Sequence, residues 1–348
     1  MYGLKQAGRG WHQEFTKVFT RDLGFTHLSV DHSVFHKTCG DEHMVVAMAT
    51  DDILITSKCQ DVAKFKTKVS KHWDLTDLGE IHWYLGFEVK RDRSARTISI
   101  NQRVYIDSMT EKSKLTNAKF IGTLMEPGAV LTKEQGPMSI MKAMRMRGVP
   151  YAEAIGSVLW PVIISRPDIA HAIGVLAQFI QNPRNVHWEA LKHVIIYLES
   201  TKNLWLTFGG RSSTTVEGFC DADWASSAHR HLTSRYSFHM GRGAVSWSSK
   251  KQYIIALSST EAEYIALTHM AKEAIWLHTF LSELQGVPYG PVPINCDNQG
   301  AIALSKDNWF HARTKHIDLR YHFIHECIAD DNVAIKYIPT NNNTSEVF

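Results

Sequence analysis

The stretch TTVEGFCDAD (residues 214–223) climbs from polar threonines through Val216, Phe219 and Cys220 and stops on acidic residues, Asp221 and Asp223. It reads as a strand that ends on a carboxylate. Two further strands follow, SRYSFHMGRG (234–243) and GAVSWSSKKQYIIALS (243–258), the first alternating at Tyr236, Phe238 and Met240 with the period of two that half-buried strands require. A long helix is predicted from about Thr260 to Leu284. Beyond it, PVPINCDNQG (291–300) offers a strand with Val292, Ile294 and Cys296 on one side, TKHIDLRYHFIHECI (314–328) a helix, and NVAIKYIP (332–339) a last strand. The order β-β-β-α-β-α-β predicts a mixed sheet carrying helices.

Within this block three acids fall where a sheet would gather them. Asp221 ends the first strand, Glu263 sits in the first turn of the long helix, and Asp297 ends the later strand. Carboxylates held that close repel one another unless a divalent cation neutralises them, and oxygen ligands suit Mg²⁺ or Mn²⁺. Each residue also has a plain structural role open to it. Glu263 can complete a capping box with Thr260, Asp221 and Asp223 can be turn acids, and Asp297 with Asn298 can cap a helix. Against the first of these, Ser258 and Glu261 form the same box two residues earlier and leave Glu263 free to point inward.

Upstream, VVAMATDDILITS (45–57) places Asp51 and Asp52 between two apolar runs, a polar hairpin tip or an acidic site. IHWYLGFEVKRD (81–92) and RTISINQRVYIDSM (96–109) predict a strand pair leading into a helix. Residues 120–148, with Gly122, Pro127, Gly128 and Gly136 and little periodicity, read as a flexible linker. Residues 149–210 read as helical, for example through Trp188, Leu191, Ile195 and Leu198 on one face of HWEALKHVIIYLEST (187–201). The 348 residues, 44% hydrophobic, suffice for more than one core, and a net charge of +3 decides nothing about partners. Five dispersed cysteines without a C-x-x-C pair disfavour a disulfide framework or a zinc ribbon. No apolar run reaches the length of a bilayer span, so an intracellular protein, cytoplasmic or nuclear, is expected, with no membrane partner. His322 and His325 sit three apart on a predicted helix, but no cysteine or histidine pair is placed to complete a zinc site. Lys250, Lys251, Arg313, Lys315 and Arg320 flank the acids, as phosphate contacts or as a solvated face.

Taken together, YGLKQAGRGW (2–11), TDDILITS (50–57), LGEIHWYLGFEV (78–89), SRPDIAHAIGVLAQFIQNP (165–183), HWEALKHVIIYL (187–198), CDADWASS (220–227), SSTEAEYIAL (258–267), CDNQGAIALS (296–305) and RTKHIDLRYHFIHE (313–326) resemble the C-terminal part of the pol polyprotein of copia-type LTR retrotransposons. The resemblance covers nearly the whole chain. It implies an α/β and α+β architecture: a partial reverse-transcriptase palm with its primer-grip hairpin (1–119), the linker (120–148), a helical connection (149–210) and an RNase H-like domain (211–348) lacking most of its final helix. Asp221, Glu263 and Asp297 match three of the family's acidic metal ligands, and Glu346 in YIPTNNNTSEVF (337–348) stands where the family has an aspartate. Asp51 and Asp52 match the paired polymerase aspartates, Asp51 being the better placed to face a metal, with Ala49 and Thr50 in place of the usual tyrosine and valine. Lys5 and Gln6 match a segment near the incoming nucleotide and template.

The implied chemistry is Mg²⁺- or Mn²⁺-dependent cleavage of RNA in an RNA/DNA hybrid. Polymerase activity is expected to be absent, because the family's further palm aspartate lies upstream of YGLKQ and the chain reads as N-terminally truncated. The alternative is a noncatalytic nucleic-acid-binding, or inert, remnant of a decayed element.

Overall fold

The computed structural model describes residues 5–39, 42–116, 118–125, 131–132, 146, 148–210, 215–223, 232–254, 256, 258–306 and 318–347. The chain divides into two compact units, Met1–Gly79 with Glu273–Pro291, and Glu80–Lys272 with Val292–Phe348. Most of the segment read as a linker lies outside the described residues, as do Arg313 and Lys315.

In the first unit, α1 (Ala7–Lys17) runs on into a π-helical turn, Val18–Asp22. An antiparallel sheet follows in chain order, β1 (Thr26–His27), β2 (Val34–Cys39), β3 (Glu42–Ala49) and β4 (Asp52–Thr56), and then α2 (Cys59–Val69). Helical spacing brings Phe15, Val18 and Phe19 to one face, strand alternation brings Val46 and Met48 to another, and Phe25, Phe35, Phe65 and Val69 close the core between them. Pairing of Ala49 with Asp52 leaves Thr50 and Asp51 as the hairpin tip. Thr50 holds a φ of 56°, a left-handed conformation unusual for a β-branched residue, while its carbonyl accepts a 2.8 Å hydrogen bond from Trp11 Nε1. Trp11 itself packs on Phe15 and Trp73, which makes it part of the core wall.

The second unit opens with β5 (Trp83–Tyr84), β6 (Phe87–Asp92), β7 (Thr97–Asn101) and α3 (Arg103–Lys112), the strand pair and helix that the spacing predicts. Helices α4 (Tyr151–Ile164), α5 (Ala170–Ala177) and α6 (Asn185–Ser200) pack with α3 around Ile106, Met109, Ile155, Ile173, Leu191, Ile195 and Leu198. A short strand that the pattern does not announce, β8 (Leu206–Gly209), adds to β7 and completes the sheet β5-β6-β7-β8.

The other sheet of this unit contains β9 (Glu217–Asp223), β10 (Thr233–Met240), β11 (Gly243–Lys251) and, after the long α7 (Ser259–Gln285), β12 (Val292–Cys296). Helices α8 (Gln299–Lys306) and α9 (Asp318–Ala329) precede its last strand, β13 (Val333–Tyr337). The strand order is β11-β10-β9-β12-β13; β9, β10 and β11 are antiparallel neighbours, and β12 runs parallel to both β9 and β13. This is the mixed sheet carrying helices that the strand and helix pattern predicts. Two details differ from the sequence reading. α8 is an additional helix, and β10 does not divide into a buried and an exposed face, since its adjacent residues Ser237 and Phe238 are both buried, while β11 carries a bulge at Val245 opposite Phe238 and His239.

Residues 261–268 at the start of α7 are buried on every side, as a helix lying through a core must be. Small residues make that approach feasible: Ala262, Ala266 and Ala271 on the helix, and Gly218 on β9, where a Cβ would come within 2.0 Å of Met270 Cε and 2.6 Å of Phe238 Cε1. The helix therefore lies close enough to the sheet for a side chain in its first turns to reach the end of β9. Among the described residues, no helix is long and apolar enough to cross a membrane.

Candidate metal centre

Asp221 is on β9, Glu263 in the second turn of α7, and Asp297 directly after β12, whose parallel pairing with β9 (Ile294 with Gly218, Asn295 with Phe219) aligns the ends of the two strands. One carboxylate oxygen from each lies within 4.8 Å of the others. The helix start is fixed independently of Glu263, because the Ser258 hydroxyl accepts the Glu261 N–H at 3.2 Å. Glu263 is thereby released from capping and turns into the core, where it is 6% exposed.

Each acid is held by a neighbour. Glu263 Oε1 accepts the Ala222 N–H at 3.1 Å, a tie from the helix to the residue after Asp221. Asp297 Oδ2 accepts the Thr340 hydroxyl at 2.8 Å. Arg235, registered opposite Asp221 on β10, brings Nη1 to 3.8 Å from Asp221 Oδ2. Glu263 Oε2, in contrast, is buried with no hydrogen-bond partner. Burial, then the nearby Cys296 and Asp221 and, less strongly, Asp297, push the Glu263 carboxyl up to about 9. A lone carboxylate oxygen enclosed among two other acids is what a divalent cation relieves, and an all-oxygen donor set fits Mg²⁺ or Mn²⁺.

The fourth acid of the sequence reading, Glu346, falls in a 3₁₀ turn, Thr344–Val347, and its side chain lies outside the described residues. That C-terminal segment is anchored by Asn343, which is buried, donates from Nδ2 to the Cys220 carbonyl at 2.8 Å and accepts from Ser345 N and Oγ. Asp51 and Asp52 are exposed at the hairpin tip, and among the described residues no set of three metal-ligating groups includes either. Lys5 and Gln6 are exposed in the turn before α1. On α9, His325 Nε2 lies 3.2 Å from the Leu304 carbonyl and its ring packs on Tyr321, the setting of a structural histidine. Lys250 sits over the Tyr253 ring, and Lys251 Nζ donates to Gln178 Oε1 at 3.1 Å.

Three residues beside the acids were not assigned a part in the site from the sequence. Arg235 is visible there only as a polar residue in an alternating strand, and nothing local marks it as the neighbour of Asp221. Cys220 and Cys296, both fully buried, place their Sγ atoms within 4.8 Å of each other and of a Glu263 oxygen. The hydrogen-bonded Cys296 thiol and complete burial both hold the Cys220 thiol above its ordinary range.

Residues 1–127 match the family described as reverse transcriptase (RNA-dependent DNA polymerase). The chain is 39% identical over 350 residues to the retrovirus-related Pol polyprotein from transposon TNT 1-94 of Nicotiana tabacum, a match covering 100% of this chain and 26% of that polyprotein. It is 31% identical over 348 residues to the retrovirus-related Pol polyprotein from transposon RE1 of Arabidopsis thaliana, covering 99% of this chain and 23% of that one. Among solved structures, it is similar to LC11-RNase H1 isolated from compost, at 14% identity and a TM-score of 0.30, over 38% of this chain and 91% of that one. The chain thus spans about a quarter of the length of these two Pol polyproteins.

Proposed function

The chain belongs to the copia-type retrotransposon pol polyproteins, with a reverse-transcriptase segment and an RNase H-like segment, and from that premise we propose that residues 211–348 cleave the RNA strand of RNA/DNA hybrids with Mg²⁺ or Mn²⁺. The observation that carries this reading is the convergence of Asp221, Glu263 and Asp297 within 4.8 Å around a buried, unpartnered Glu263 oxygen. These three residues would hold the cation, with Glu346 as a further acid. Bound by these residues, Mg²⁺ or Mn²⁺ would supply Lewis-acid chemistry, lowering the pKa of a water and offsetting charge on a phosphate.

The protein's own groups do the positioning. Arg235 stands beside Asp221, the Ala222 N–H holds Glu263, and the Thr340 hydroxyl holds Asp297. Lys250 and Arg320 are the basic residues we assign to phosphate contacts, and 2′-hydroxyls distinguish the RNA strand. In the same reading, residues 1–119 are the reverse-transcriptase part, 120–148 a linker and 149–210 the connection. Asp51 and Asp52 are a polymerase carboxylate pair with no third ligating group beside them among the described residues, and Lys5 and Gln6 approach nucleic acid. This chain alone is therefore expected not to extend a primer.

The test is cleavage of a labelled RNA/DNA hybrid by the purified chain in Mn²⁺, beside Asp221→Asn. Cleavage by the chain, lowered at least about a hundredfold in the variant, is the expected result. Equal cleavage by both proteins would refute the reading, and binding without cleavage would establish the noncatalytic alternative.

A further inference from the structure

We propose that Cys220, Cys296 and Glu263 form a second cation site, which takes a soft divalent ion of the zinc class. The parallel pairing of β9 and β12 carries Cys296 alongside Cys220 two residues beyond the Gly218–Ile294 pair, so two cysteines 76 positions apart, both 0% exposed, become neighbours. Their Sγ atoms and a Glu263 oxygen lie mutually within 4.8 Å.

The groups are poorly occupied otherwise. Apart from their contact with each other, Cys220 Sγ lies 3.5 Å from the Asn295 carbonyl and Cys296 Sγ 4.0 Å from that of Asn298, which are weak thiol contacts. Glu263 Oε2 is buried and unpartnered beside them.

The chemistry of the donors selects the ion. Two sulfurs and one oxygen suit a tetrahedral zinc-class cation, with Zn–S bonds of about 2.3 Å and sulfurs therefore about 3.8 Å apart, leaving one position for water. Shifts of the order of 1 Å in two side chains satisfy that geometry. On binding, two Sγ–H bonds are replaced by two Sγ–metal bonds, and both protons leave to solvent. Mg²⁺, which prefers oxygen, does not compete for the sulfurs.

Glu263 is common to both ligand sets. Its Oε1 is held by the Ala222 N–H and only Oε2 is unpartnered, so an ion between the cysteines and one completing the set with Asp221 and Asp297 draw on the same oxygen, and the soft ion antagonises the hard one. That consequence rests on the function proposed above. The thiolate site itself does not.

The full-length reduced chain, cleared of metal, is titrated with Co²⁺ as a spectroscopic probe. The expected result is one equivalent bound with a thiolate-to-cobalt charge-transfer band, abolished by Zn²⁺, kept in Cys327→Ser and lost in Cys220→Ser and Cys296→Ser. A missing band, or one that survives in both of those variants, would overturn the proposal. Because either variant can lose its fold, the unmutated chain is also alkylated with and without equimolar Zn²⁺ and mapped by peptide mass. Zn²⁺ should slow modification of Cys220 and Cys296 by at least about tenfold and leave Cys327 unchanged. Equal rates at all three would refute the site. In a separate arm, Zn²⁺ should raise the Mn²⁺ concentration needed for half-saturation, read from the electron paramagnetic resonance signal of free Mn²⁺. Absence of hybrid cleavage leaves the cobalt and alkylation results standing, so the two readings fail separately.

Discussion

At the scale of single residues, the Glu263 carboxyl couples the fold to pH. Its ordinary value is 4.5, and in the folded chain it is pushed up to about 9 by burial and by Cys296, Asp221 and Asp297. Between those values the folded chain, stripped of divalent ions, keeps a proton that the unfolded chain has released. Stability then falls as pH rises, by at most about 1.4 kcal/mol per pH unit for one proton. Urea unfolding in chelator across this window should show that slope, and Glu263→Gln, which carries a neutral amide throughout, should flatten it. The same variant should lose most of the stabilisation that Mn²⁺ gives the native chain, measured as a thermal shift. The three acids were legible in the sequence because two close apolar strands and the third is spared from capping by Ser258 and Glu261. The cysteines beside them were not, since their adjacency exists only through a parallel strand pair. Likewise Arg235 reaches Asp221 only through antiparallel register.

At the scale of elements, closeness between α7 and β9 is what delivers Glu263, and Gly218 is where that closeness is tightest. Gly218→Ala places a methyl group 2.0 Å from Met270 Cε and 2.6 Å from Phe238 Cε1. It should cost roughly 1–3 kcal/mol in urea unfolding and weaken Mn²⁺ binding together with stability. A variant that unfolds as the native chain does would show that helix and strand are less closely packed than described. Much of this architecture is written in local pattern: the period of two in β12, and the apolar length of α7. What escaped has a common cause. β8 has four residues and is a strand because β7 offers it an edge, α8 has eight residues, and the bulge at Val245 in β11 shifts register without changing composition. Tertiary pairing, not propensity, sets all three.

Across the whole molecule, the two acidic features differ in what surrounds them. Asp51 and Asp52 stand on a solvent-exposed tip, whereas Asp221, Glu263 and Asp297 converge on a buried oxygen. Hydrogen exchange with and without Mn²⁺ should therefore show added protection in residues 218–223, 258–266 and 294–298 and little change in 45–57. Protection of the hairpin instead would relocate the principal cation site. Finally, β9 and β12 are joined across α7, so the pair that aligns the site is a non-local contact. Such contacts close late, after their loop entropy has been met. Mn²⁺ should accordingly slow unfolding while leaving the refolding rate nearly unchanged, as stopped-flow measurements in urea can read. On the ribosome, a chain that has emerged only through α7 holds two of the three acids and β9 but not β12, its partner strand. The ion is thus a latch on a finished fold and no template for a nascent one.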